Sequence, residues 1–249
     1  DWTAPPPALD DDKARPPNII VILADDLGWN DISFYGGGVG GGAVQTPNID
    51  RIAAEGVHFS NGYAGNATCA PSRAALLTGR YPTRYGFEFT PAPAEMMRMA
   101  YSFEPHREQL HPGFFLEENL AEFPPLEEQG VPASEILLPE LLADRGYHSM
   151  ILGKWHLGQN KGHAPNDQGF DQFLGFLSGA AMFAEFDDPR MVKSIQEFDP
   201  IDQFLWPNLT FAVRYNKEQH FAPDEYMTDY LSTQAVRAIQ ANKHRPFLL

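Results

Sequence analysis

The chain has 249 residues, 43% of them hydrophobic and 20% charged, with a formal net charge of −15 at pH 7. That is apolar material enough for the core of one large α/β domain, and no apolar run is long enough to span a membrane. The acidic balance argues against nucleic acid or an anionic membrane as partner, because both demand a basic face.

Residues 1–17 are proline-rich and charged and read as an extended amino-terminal arm. They carry neither an initiator methionine nor a signal peptide, as in a mature chain whose leader has been removed. Asn18 to Gly28 follow as N-I-I-V-I-L-A-D-D-L-G. The unbroken β-branched run Ile19 to Ala24 predicts a strand buried on both faces, as in a parallel sheet. Asp25 and Asp26 then stand at its carboxyl end, where α/β sheets keep their ligands. Adjacent like charges repel unless something positive lies between them, and a hard divalent cation is one solution. A turn cap beside a solvated neighbour is the other. Thr46 and Pro47 open a predicted helix that Gly56 ends, with Ile49, Ile52 and Ala53 on one face. Val57 to Tyr63 alternates as a strand.

Cys69 to Arg80 read C-A-P-S-R-A-A-L-L-T-G-R and hold the only cysteine. A lone cysteine makes no internal disulfide. Pro71 suits a first helical turn, Ala74 to Leu77 continue it, and Gly79 suits its end. The sulfur therefore sits at a helix start, beside free N–H groups and the positive end of the dipole. Arg73, one turn on, adds a charge whose fork matches a tetrahedral oxyanion. By itself Cys69 also reads as a small buried hydrophobe.

Phe87 to Ala133 and Gly179 to Pro223 are aromatic- and proline-rich with little periodicity, and read as insertions that shape a pocket or cover the sheet. Between them, Pro139 to Arg145 reads as a helix capped by Gly146, and Tyr147 to Leu152 as a second buried strand. Lys154 and His156 emerge at its end, one residue apart, so an extended chain points both side chains the same way. Such a pair can hold an oxyanion and move a proton; equally, it can be an exposed lysine and a structural histidine. Asp224 to Asn242 is a predicted amphipathic helix with Met227, Tyr230, Leu231, Ala235, Ala238 and Ile239 on one face. The chain closes on Arg245 to Leu249, the start of another strand.

Four of these segments together resemble the sulfatase family: the Asp25–Asp26 strand end, the Gln45 to Gly56 helix, the complete Cys-x-Pro-Ser-Arg-x-x-x-x-Thr-Gly-Arg string at Cys69, and the G-Y-H-S-M-I-L-G-K-W-H-L-G string at Gly146. The resemblance implies an alkaline phosphatase-like α/β fold, with a mixed, largely parallel sheet and helices on both faces. It covers residues 18–249 but only the amino-terminal half to two-thirds of that family's catalytic domain, so the carboxyl end reads as truncated. It further implies that Cys69 is converted by a formylglycine-generating enzyme to formylglycine (3-oxoalanine), whose hydrate attacks a sulfate ester. Asp25, Asp26 and residue 69 would bind Ca2+, with Mg2+ possible; Arg73 and Lys154 would hold the sulfate and His156 would move a proton. Ser178 lies near a position where some members contact sulfate. A small sulfate ester, a periplasmic or secreted location, and no nucleic-acid or membrane partner complete the expectation; a phosphoester or phosphonate hydrolase and a non-catalytic ion-binding fragment are the alternatives.

Overall fold

A computed structural model of the chain describes residues 15–103, 110, 115–160, 162–192 and 208–249. Most of the amino-terminal arm and parts of both expected insertions lie outside the described residues. Five strands form one mixed sheet: β1 (His148–Lys154), β2 (Gln172–Phe176), β3 (Val213–Tyr215), β4 (His220–Phe221) and β5 (Phe247–Leu248). Their order is β4-β3-β2-β1-β5. β1 is parallel to β2, with Met150 opposite Gln172 and Lys154 opposite Phe176, and parallel to β5. β3 and β4 are antiparallel additions at the β2 edge.

The period of two along each strand sends side chains to opposite faces, and different helices cover them. Ile151, Phe173 and Leu248 pack with Ala70 and Ala74 of the Cys69–Thr78 helix and with Leu138 and Leu142 of the Leu138–Ala143 helix. Met150, Leu174 and Phe247 pack with Met227, Ala238 and Ile239 of the Met227–Asn242 helix. Helices thus cover both faces, as expected. Fully burying one such side chain contributes roughly 1.5–3 kcal/mol. The helix ends follow local chemistry. Gly79 takes the left-handed conformation (φ 65°) and its N–H donates to Ala75 O at 2.9 Å. Glu140 accepts the Leu137 N–H at 2.8 Å and closes the start of the short helix.

Two expectations are corrected. The Ile19 to Ala24 run does join the sheet, lying parallel beside β5: Ile19 N–H donates to Phe247 O at 2.9 Å and Val21 N–H to Leu249 O at 2.8 Å. It is not buried on both faces, since Ile22 is 82% exposed. Among the described residues no strand pairs with its outer side, so it forms an edge. Val57 to Tyr63 forms no strand, and Val57 and Phe59 are 79% and 76% exposed. Alternation supplies a face to bury, but a strand also needs a neighbouring ladder, and none of the described strands offers one there. The helix between them does form, over Pro47–Glu55, although Ile49 and Ile52 are exposed. Thr46 occupies its cap position, but its hydroxyl accepts no N–H of the helix; it donates to Asp50 Oδ1 at 2.7 Å and accepts the Ser33 N–H at 3.0 Å.

Candidate active site

The Cys69–Thr78 helix starts on the cysteine itself, with Thr68 as the preceding extended residue. The parallel strand β1 ends nearby on Lys154, and the chain stays tied to β2 for two more residues. Trp155 N–H donates to Phe176 O at 3.0 Å and His156 N–H to Leu177 O at 3.1 Å. His156 then takes a left-handed backbone (φ 63°), a conformation that costs a non-glycine residue roughly 1–2 kcal/mol. Its imidazole lies against the cysteine: Cys69 Sγ is 3.3 Å from His156 Nδ1. Thr90, from the first expected insertion, brings its hydroxyl to 3.8 Å from the same sulfur.

A second group of contacts centres on Asp25. Arg73 Nη2 donates to Asp25 Oδ1 and Lys154 Nζ to Asp25 Oδ2, both at 2.8 Å. Arg73 Nη1 also donates to the Lys154 carbonyl at 2.8 Å, which ties the helix to the end of β1. Both cationic side chains are nearly buried, whereas Asp25 is half-exposed. Arg73 Nε is buried without a hydrogen-bond partner among the described residues.

The electrostatics follow from this packing. Partial burial pushes the Asp25 carboxyl up, but the hydrogen bonds and charges of Lys154 and Arg73 outweigh it and hold it below the usual carboxylate range. Burial drives the His156 imidazole down to about 4, and the Lys154 and Arg73 charges add to the effect against the opposing pull of Asp25. His156 is therefore neutral at pH 7, able to accept a proton from the group at position 69.

Of the residues singled out from sequence, Cys69, Arg73, Lys154, His156 and Asp25 converge. Asp26 follows Asp25 in a turn with a left-handed backbone (φ 54°) and is exposed. Ser178 lies on the loop that bonds to His156, but its hydroxyl donates to Ala180 O at 2.8 Å. A cleft of about 480 Å³ opens beside Asp25, Asp26, Arg73 and Lys154 and continues along apolar walls that include Val21, Leu76 and Leu248; Cys69 and His156 are not among its walls. Among the described residues no group of three or more His, Cys, Asp or Glu side chains is gathered for a metal ion. Asp25 and Asp26 have the hard oxygen chemistry that Ca2+ or Mg2+ takes, and so fit such an ion as two of its ligands, with about six to eight oxygens needed for calcium.

Two contacts escaped the sequence. Thr90 stands in a proline-rich stretch with no periodicity, and nothing in its neighbours marks it. Gly179 lies so close to His156 that a β-carbon there would fall 2.6 Å from the ring atoms Cε1 and Nε2. A glycine after Ser178 carries no motif of its own.

The family model described as Sulfatase matches residues 17–249. Human N-acetylgalactosamine-6-sulfatase is 45% identical over 161 residues, covering 65% of this chain and 26% of that protein. Human arylsulfatase A is 39% identical over 164 residues, covering 65% of this chain and 25% of that protein. The crystal structure of Ps i-CgsB is 31% identical, with a TM-score of 0.64 over 94% of this chain and 44% of that one. The chain thus spans about a quarter of the length of the curated relatives it matches. A match that runs across the sheet, both helical layers and the cleft, and not across the cysteine string alone, makes this chain a member of the sulfatase family.

Proposed function

We propose that this chain carries the nucleophile and the oxyanion-binding cations of a sulfuric ester hydrolase that cleaves a small sulfate monoester. One observation carries the reading. The Cys69–His156 contact and the Arg73–Asp25–Lys154 cluster bring together one helix start and the ends of two parallel stretches, joined by the Arg73 bond to the Lys154 carbonyl.

In this reading Cys69 is oxidised by a formylglycine-generating enzyme, and the aldehyde is hydrated to a geminal diol. One hydroxyl attacks sulfur and the alcohol leaves, so residue 69 carries the sulfate. The second hydroxyl then gives its proton to neutral His156, the carbon–oxygen bond to sulfate breaks, and the aldehyde returns with sulfate released. Arg73 and Lys154 orient the sulfate oxygens and stabilise the charge that develops on them. A hard divalent cation, Ca2+ or Mg2+, held by Asp25 and Asp26 with further oxygen ligands and beside residue 69, would supply Lewis-acid polarisation when bound. Binding by Asp25 would compete with its two cationic partners. Thr90 beside Cys69 supports the view that the 87–133 insertion borders the substrate, and Ser178 is an outer candidate for sulfate contact through a change in its loop. Residues 18–249 are then the catalytic unit, residues 1–17 an arm, and 179–223 a second insertion.

The names of the relatives point to sulfated sugars as the first esters to test. The family resemblance favours a periplasmic or secreted location for the protein. No helix among the described residues is long and apolar enough to cross a membrane. Turnover of nitrophenyl sulfate and nitrophenyl phosphate by the protein tests the proposal. Preference for the sulfate, lost on Lys154→Ala, supports it; preference for the phosphate assigns a phosphoester hydrolase instead, and binding of either ion without turnover leaves only an ion-binding fragment.

A further inference from the structure

We infer that Gly179 is a positioning residue: its missing side chain leaves the space that lets the His156 imidazole reach residue 69. The inference rests on the role proposed above for His156.

The backbone does not require glycine here. Residue 179 is absent from the positions with positive φ, where glycine is favoured. Space requires it. A β-carbon at 179 would lie 2.6 Å from both His156 Cε1 and Nε2 and 3.3 Å from Cδ2. These atoms form the far end of the ring, and Nδ1 on its flank is the atom 3.3 Å from Cys69 Sγ. The ring is therefore bounded by the sulfur at Nδ1 and by the 179 backbone at its tip.

Neither boundary moves freely. The loop is clamped to its neighbour by the His156 N–H bond to Leu177 O at 3.1 Å and closed by the Ser178 hydroxyl bond to Ala180 O at 2.8 Å. His156 is 4% exposed, between Trp155 and Leu157, which are 1% and 0% exposed. A methyl group at 179 is therefore accommodated by rotation of the ring. Rotation carries Nδ1 off the sulfur and leaves the surrounding fold in place.

Cys69 is the only cysteine, so alkylation reports on this one thiol. The test uses the full chain made without the maturing enzyme, which keeps residue 69 as cysteine. The iodoacetamide reaction rate is measured for wild type, Gly179→Ala, His156→Ala and the double variant. Gly179→Ala should change the alkylation rate in the same direction as His156→Ala, because both take the imidazole off the thiol. The two changes should not multiply, since the second acts only through the first. The His156 ring 15N signals should shift in Gly179→Ala, with helix and sheet signals unchanged. If Gly179→Ala fails to fold, the double variant, which has room for the methyl, should fold. Wild-type alkylation in Gly179→Ala, independent multiplying effects, or a double variant as unfolded as Gly179→Ala would each overturn the inference. None of these readouts needs sulfate turnover, so a failure of the sulfatase reading stays separate from a failure here.

Discussion

Two stretches of similar apolar character meet different fates in this molecule. Between Tyr147 and Leu177 the apolar residues are enclosed: β1 has a parallel neighbour on each side and a helix over each face. Between Ile20 and Tyr63 the same kinds of residue lie open, from Ile22 through Ile52 to Phe59. The difference teaches that hydrophobic pattern states which side chains need covering but does not supply the cover. The active-site candidates sit on the seam, with Asp25, Cys69 and Arg73 from the amino-terminal side and Lys154 and His156 from the enclosed side.

The sharpest way to break this picture is to remove the nucleophile at the seam. Cys69→Ser should lower sulfate-ester turnover by about 10⁴-fold or more while leaving the melting temperature unchanged. A serine sulfate has no second hydroxyl to drive release. Repeated turnover by that variant near the wild-type rate would contradict the mechanism.

The contrast in burial is tested with one residue type in both stretches. Phe173 is 0% exposed, and Phe173→Ala should cost about 3–5 kcal/mol in urea unfolding. Phe59→Ala should change stability by less than about 0.5 kcal/mol. Equal losses would mean that the open stretch is covered after all.

His156 refines the same contrast through pH. Its folded imidazole resists protonation until about pH 4, against an ordinary value of 6.5. Between those limits the unfolded chain binds the proton and the folded one does not. Stability is therefore full above pH 6.5 and falls as pH drops towards 4, by on the order of 3 kcal/mol. His156→Gln should flatten that window; an unchanged slope in the variant would place the loss elsewhere. A smaller effect than that of His156 belongs to Asp25, which is half-exposed and solvent-screened. Asp25→Asn should cost about 1 kcal/mol, and the difference should shrink in high salt. A salt-independent loss would mean that the pairs with Arg73 and Lys154 are not its cause.

The sequence made the enclosed half legible because its signals were local and mutually consistent. Gly79 marked a helix end, the Tyr147 to Leu152 run became β1, and the Met227–Asn242 helix buries the face its spacing assigned. Val57 to Tyr63 was misread as a strand because period two is a property of the segment, whereas a ladder is a property of its neighbours. In the site, residues within strings of fixed spacing were found. Thr90 and Gly179 were not, because their contacts with Cys69 and His156 arise from tertiary folding of loops that carry no pattern of their own.

The central claim is that residue 69 works as an aldehyde hydrate and not as a thiol. Intact-mass analysis of the peptide containing residue 69, taken from protein that turns over a sulfate ester and repeated after trapping with a hydrazide, tests it most directly. The account predicts a peptide lighter than the cysteine form that gains the hydrazide, with turnover in proportion to its abundance. Full turnover from protein in which residue 69 is wholly a thiol would contradict it.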